Sequence, residues 1–193
     1  MRRLSICTFI LLLIFATFHS IGQGRWSAEF RPGLSFPTKN LGENDLKVGY
    51  GFEAKIAYKL MPHLKTYAGW GWNEIRSESN LQTSNFHIDE SGYTFGFELT
   101  LPITKPPVTY FLFSGIVYNH IEVENIVTNM KTDSNHGLGW QMGGGMEYAF
   151  APNWSLRPEL RYHSLQREIT FAGLPNTIKL DYIGFGVGLL HDF

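Results

Sequence analysis

The stretch YIGFGVGLLHDF, residues 182–193, decides how the chain is read. Taken two by two, Ile183, Phe185, Val187, Leu189, His191 and Phe193 share one face of an extended strand, and Tyr182, Gly184, Gly186, Gly188, Leu190 and Asp192 share the other. One face is large and apolar; the other is mostly slim. Chain ends without partners are commonly polar and loosely held, whereas this one closes on a bulky aromatic. A half-buried strand of a sandwich would alternate in the same way, so the remaining sequence must discriminate.

At the other end, Arg2 and Arg3 precede an apolar run from Leu4 to Phe18 that closes in HSIGQG, the outline of a secretory signal peptide. With Ser20 and Gly22 in the two small-residue positions, cleavage is expected after Gly22. This divides the chain into a signal peptide, 1–22, and one domain, 23–193, with no repeat or low-complexity linker inside it. Cys7, the single cysteine, falls in the first part. The domain therefore has neither a disulfide framework nor a thiol nucleophile. Beyond residue 22 no apolar run approaches the 18 or so residues of a membrane helix. A formal charge of -1 gives no basic bias toward nucleic acid. What the composition does offer is 20 Gly beside 15 Phe, 9 Tyr and 5 Trp, a mixture suited to strands.

Period-two alternation predicts eight strands, at 25–36, 48–60, 64–75, 91–101, 109–121, 137–150, 154–165 and 177–193. The connectors MPH, PITKPPV and APN are short or proline-rich, while 37–47, 76–90, 122–136 and 166–176 are long. Short turns at one end and long loops at the other is the arrangement of outer-membrane barrels. The faces agree. In the second strand Tyr50, Phe52, Ile56 and Tyr58 oppose Glu53 and Lys55. In the seventh, Trp154, Leu156, Leu160 and Tyr162 oppose Arg157, Glu159 and Arg161. Eight strands enclose only enough room for side chains or one small ligand, so the aromatic face must point outward, which is untenable in water and natural in lipid. The expected fold is an all-β, eight-stranded antiparallel up-and-down transmembrane β-barrel.

One aromatic girdle is expected from Trp26, Tyr58, Phe150, Trp154 and Phe193 beside the short turns. A second is expected from Phe36, Tyr50, Trp72, Tyr93, Trp140 and Tyr162 toward the long loops. The inward face carries Glu29, Glu53, Glu98, Glu147 and Glu159 with Arg31, Lys55, Lys59, Lys65, Arg157 and Arg161. Buried charge is tolerable only when paired, so this near balance predicts an ion-paired interior, with Lys59 and Lys65 reaching periplasmic water beside the MPH turn. Pro32 and Pro158 sit inside strands and are expected to force bulges. The fifth strand, TYFLFSGIVYNHI, is apolar on both faces and has no assignable orientation.

Over residues 25–193 these features resemble small outer-membrane barrels of the outer-membrane protein A and X type, and the Bacteroidetes-type outer-membrane barrels of the porin family. The final strand carries the resemblance most directly: Phe185, Val187, Leu189 and the terminal Phe193 resemble the signal read by the barrel-assembly machinery, with His191 departing from the usual choice. The resemblance implies a monomer in the outer membrane of a Gram-negative bacterium, with outer-membrane lipids and the assembly machinery as partners.

For function, a structural or surface-interaction role through the long loops is expected, without enzymatic activity. Two alternatives compete. Lipid A deacylases share the barrel and use a His-x-Ser pair, but here His163 and Ser164 are adjacent and so face opposite ways. A pore would need a lumen that eight filled strands barely leave. No cofactor or metal is expected: His63, His87, His120, His136, His163 and His191 lie singly, and the glycines of GWQMGGGMEY interrupt a strand instead of opening a phosphate-binding helix. The ligand of the loops is not legible.

Overall fold

The computed structural model describes residues 24–38, 45–78, 86–101, 107–125, 130–171 and 174–193, so the expected signal peptide at 1–22 lies outside the described residues. Ten strands form: β1 (Trp26–Pro37), β2 (Asp45–Leu46), β3 (Gly49–Met61), β4 (Leu64–Glu78), β5 (Phe86–Leu101), β6 (Val108–Asn125), β7 (Met130–Asp133), β8 (Gly137–Ala151), β9 (Trp154–Phe171) and β10 (Leu174–Asp192). Eight of them close a ring. In order around it, β1, β3, β4, β5, β6, β8, β9 and β10 pair antiparallel with their neighbours, and β10 returns to β1 through Ser27–Asp192 and Phe36–Ile183. Closure leaves no unpaired edge strand, which is the condition for crossing hydrocarbon with strands. The two extra strands, β2 against β4 and β7 against β6, arise where the sequence predicts only loop.

Within the membrane band the period-two pattern is obeyed. Phe30, Ile56, Trp70, Phe95, Phe97, Leu112, Ile116, Met142, Leu160, Phe185 and Leu189 stand outward and exposed, while Glu29, Lys55, Glu98, Arg157 and Glu159 are buried inside. The fifth predicted strand, now within β6, is oriented by two glycines across from it on β8. A Cβ on Gly143 would come within 2.7 Å of the Phe113 ring, and one on Gly145 within 2.8 Å of the Phe111 ring. Phe111 and Phe113 therefore turn inward, and Tyr110, Leu112, Ile116 and Tyr118 outward.

The predicted proline bulges do not form. Pairing of β1 with β10 lapses between Phe30–Leu189 and Gly33–Gly186 and resumes in the same register, while Pro32 still faces Phe52 on β3. Pro158 likewise faces Val187, and the β8–β9 pairing resumes at Tyr148–Leu156 unshifted. A strand residue donates to one neighbour only, so each proline removes one ladder bond and leaves the other side intact. The register shifts that do occur flank the short turns, at Lys59/Met61 and Ala149/Ala151. In the second of these turns Asn153 takes a φ of 63°, a left-handed conformation that asparagine tolerates.

Beyond the outer girdle the pattern inverts. Ile75, Ile88, Ile121, Val123, Leu165 and Leu180 point inward and form one buried cluster with Val117 and Tyr182. Their strand neighbours Glu74, Arg76, His87, Asp89, Glu122 and Glu124 reach solvent. Apolar inside and polar outside is the order of a β-structure in water. The strands thus continue past the lipid and build an apolar cap over the mouth of the barrel. On β7, outside the membrane band, hydrogen bonds to Glu122 and Glu124 hold Lys131 above the usual lysine range.

The exposed apolar wall gives a direct expectation. Residues 23–193 should refold in detergent micelles or lipid vesicles and not in plain buffer, and the folded form should migrate differently in unboiled and boiled gel samples. A monodisperse folded protein recovered without detergent would contradict the membrane assignment.

Candidate functional site

The chemistry of the barrel lies in its lumen, which is filled in layers. Nearest the periplasm, Arg157 is 1 % exposed and sits 2.7 Å from Glu29 Oε2, 2.7 Å from Glu98 Oε2 and 3.5 Å from Glu147 Oε2. Its guanidinium lies 3.8 Å from the centre of the Phe111 ring, a favourable cation–π position. Lys55 Nζ adds a 3.0 Å ion pair to Glu29 and stands 3.9 Å from both Glu98 and Glu159. One layer further out, Arg31 pairs with Glu53 and Glu159. Arg161 Nη2 reaches Glu53 at 2.7 Å and Glu159 at 2.8 Å. Thr94 donates to Glu53 Oε1 at 2.7 Å, and Gln141 joins Arg161 to the Tyr67 hydroxyl.

All nine residues of the predicted network, Glu29, Arg31, Glu53, Lys55, Glu98, Glu147, Arg157, Glu159 and Arg161, are thus brought together by strands β1, β3, β5, β8 and β9. Slim positions on β10 make this possible: a Cβ on Gly184 would meet Arg161 Cγ at 2.9 Å, and one on Gly188 would meet Glu29 Oε1 at 2.3 Å. Lys59 is exposed at the turn, as expected. Lys65 is not: its side chain is 16 % exposed and lies 3.9 Å from Glu98 Oε1. Its direct cross-strand neighbour on β5 is the inward carboxylate of Glu98, which draws it inward.

Above the ion pairs is a polar chamber of about 80 Å3, which sequence reasoning missed. Glu90 and Tyr182 build it. The Tyr182 hydroxyl donates to Glu90 Oε2 at 3.0 Å and contacts His163 Nδ1, and Asn119 Nδ2 donates to Glu90 Oε1 at 2.5 Å. Arg167 donates to Asn119 Oδ1 and to the carbonyls of Gly137 and Leu138. His163 is therefore partnered by Tyr182 and, 3.9 Å from its Nε2, by the Glu90 carboxylate. Ser35 donates to Asn73 Oδ1 at 2.8 Å, fixing that amide so that its nitrogen, like His163 Nε2, has no hydrogen-bond partner in the protein. Two orphaned buried polar atoms in a polar cavity are the signature of ordered water. The apolar cap lies on its outer side, and the ion pairs of Arg31 and Arg161 lie on its periplasmic side.

Ser164 stands on the opposite face from His163 and donates to Asp181 Oδ1 at 2.7 Å, so the pair that a deacylase would require does not meet. Among the described residues no three His, Cys, Asp or Glu side chains converge as a metal site.

The girdle positions fall at two levels. Trp26 and Tyr58 stack at 4.8 Å on the periplasmic side, where Trp154, His191 and Phe193 form a continuous series at 4.5 and 4.7 Å. Trp72 with Tyr50, and Trp140 with Tyr162, make the outer level at 5.8 and 5.4 Å. Of the terminal residues, Phe185, Val187, Leu189 and Phe193 all lie on the outward face. His191 continues the aromatic series in place of an aliphatic residue.

A closed eight-stranded antiparallel barrel with a charged lumen and an apolar exterior between two aromatic levels defines a small outer-membrane β-barrel. The chain belongs to the outer membrane protein beta-barrel domain family, whose model matches residues 6–190. Among solved structures it is similar to Neisserial surface protein A, with a TM-score of 0.63 and 15% identity over 87% of this chain and 97% of that one. It is also similar to OprG of Pseudomonas aeruginosa, at 0.61 and 13% over 89% and 98%. A third is Ail, the attachment invasion locus protein of Yersinia pestis, at 0.51 and 14% over 88% and 99%. At such identities the likeness is one of fold. No curated protein sequence matches the chain. Family and fold together place the protein in the outer membrane.

Proposed function

We propose that the protein is a closed, non-enzymatic barrel whose task is to hold a β-structured surface outside the cell for contact with external partners. The observation that carries this reading is the inversion of the pattern above the outer girdle. A barrel built only to fill or pierce the membrane has no need of an apolar core beyond the lipid, whereas a rigid display platform does. The β9–β10 pairing runs out to Phe171–Leu174, well past Gly139–Leu165, where pairing of β8 with β9 begins. The names of two structural relatives, a surface protein and an attachment invasion protein, fit the same role. On this reading residues 1–22 direct export, and the alternation ending at Phe193 is read by the assembly machinery of a Gram-negative cell. The working unit is a monomer that needs no cofactor.

The test has two arms. Proteoliposomes should show neither swelling in small sugars nor channel steps; steady conductance would favour the pore. In the second arm, residues 168–177 are replaced by an Asn-Gly turn, which suits a two-residue hairpin. The gel-mobility shift should persist, while adhesion of displaying cells to protein- and polysaccharide-coated surfaces should fall several-fold. Undiminished adhesion on every surface would overturn the display role.

A further inference from the structure

The lipid-facing wall of the barrel is not continuous. One cross-strand row reads Leu112 on β6, position 144 on β8, Leu160 on β9 and Phe185 on β10. The three named side chains are large and exposed, and the fourth place is a glycine. Below it, Met146 and Pro158 lie in the interval in which the β8–β9 ladder lapses, between Gly145–Glu159 and Tyr148–Leu156. The result is an open groove of about 470 Å3 in the outer surface. Its periplasmic end is bordered by Leu101 and Tyr110, which stand on either side of the connection between β5 and β6.

We propose that this groove is a binding site for one acyl chain of a phospholipid in the periplasmic leaflet. The groove opens between the two aromatic levels, so hydrocarbon is the medium that meets it. Its exposed walls are carbon and sulfur side chains, which offer water nothing to bond and offer a methylene chain close dispersion contacts. A second barrel is a poor occupant, because its wall is a convex field of bulky side chains that cannot enter a notch one strand wide. A flexible chain can. Tyr110, 41% exposed at the periplasmic end, places an amphipathic ring where the glycerol and headgroup of such a lipid would lie, the position such rings favour. Leu112 leans over Gly144, since a Cβ there would come within 2.7 Å of Leu112 Cδ2. It can swing to admit or hold the chain.

The experiment uses residues 23–193 folded in phosphatidylethanolamine vesicles doped with a phospholipid carrying a photoreactive group in one acyl chain. After illumination, adducts should concentrate on peptides covering 101–112 and 144–160, several-fold above those covering Ile56 and Trp70 on the opposite wall. Met146→Trp fills the groove without touching the Gly144 backbone and should bring the two walls to equal labelling. Should Met146→Trp lose the gel-mobility shift of a folded barrel, Leu160→Trp replaces it as the filling variant. Even labelling around the unmodified barrel, or labelling unchanged in the filled variant, would overturn the site.

Discussion

Arg157→Met is expected to destabilise the folded barrel by about 3 to 5 kcal/mol, the range for breaking a buried ion pair by removing one partner. Methionine replaces much of the volume, so the loss is chiefly electrostatic. Three carboxylates converge on this guanidinium, from Glu29, Glu98 and Glu147. Without it Glu29 and Glu98 have Lys55 between them, with Lys65 at 3.9 Å from Glu98. Two of the three carboxylates are almost wholly buried and cannot find water in exchange. The matched control is Arg76→Met. Arg76 pairs with Glu74 at 2.7 Å, but its side chain is 55% exposed, and surface pairs of this kind contribute about 0 to 1 kcal/mol. Urea unfolding in vesicles, followed by the mobility shift of unboiled samples, should move the midpoint far more for Arg157→Met than for Arg76→Met. Equal, small effects would mean that water reaches the network, which would in turn reopen the case for a conducting lumen.

The same electrostatics explains what was legible beforehand. In the membrane band, lipid imposes an apolar exterior at every second residue, so Phe95 against Glu98 or Leu160 against Arg161 reveals both the strand and its direction. The charged lumen follows, because a carboxylate such as Glu98 on an apolar strand has nowhere else to go. The outer ends of the strands were hidden because the rule reverses there. Ile75, Ile88, Ile121, Leu165 and Leu180 face inward while Glu74, Asp89 and Glu122 face out, so a pattern sought in one phase breaks off at the outer girdle and reads as loop. This is why strands predicted to end at 75, 121 and 165 extend to Glu78, Asn125 and Phe171. Glu90 was lost with that boundary, one residue before the predicted strand at 91–101, while Tyr182 was placed on the inward face without a partner to mark it. Both stand where the two phases meet, and neither belongs to an apolar or a charged run. The orientation of 109–121 was hidden for another reason: Phe111 and Phe113 are inside only because Gly143 and Gly145 on β8 leave room, a fact that belongs to two strands at once.

Deletion of Phe193 is expected to lower outer-membrane levels many-fold while leaving refolding in micelles nearly unchanged. In the folded barrel the residue is an interfacial side chain. It is 40% exposed, its ring lies 4.7 Å from His191, and its backbone N–H donates to the Trp26 carbonyl at 2.9 Å. Full burial of such a side chain is worth about 1.5 to 3 kcal/mol, and partial burial less, so a closed ring of eight ladders survives its loss. The neighbouring edge-to-face contact of His191 with Trp154 at 4.5 Å remains to hold the strand end. Before closure the situation differs. On the proposed reading, the outward alternation Phe185, Val187, Leu189 and Phe193 is recognised by the assembly machinery at that stage, and the deletion removes the last element of that pattern. The effect should therefore appear in cells and not in micelles. Membrane fractions quantified against total protein, beside refolding yields for the same truncated chain, separate the two stages. Normal outer-membrane levels would reduce Phe193 to an anchor. A matching loss of refolding yield would instead make the end of β10 part of the folding nucleus of the barrel itself.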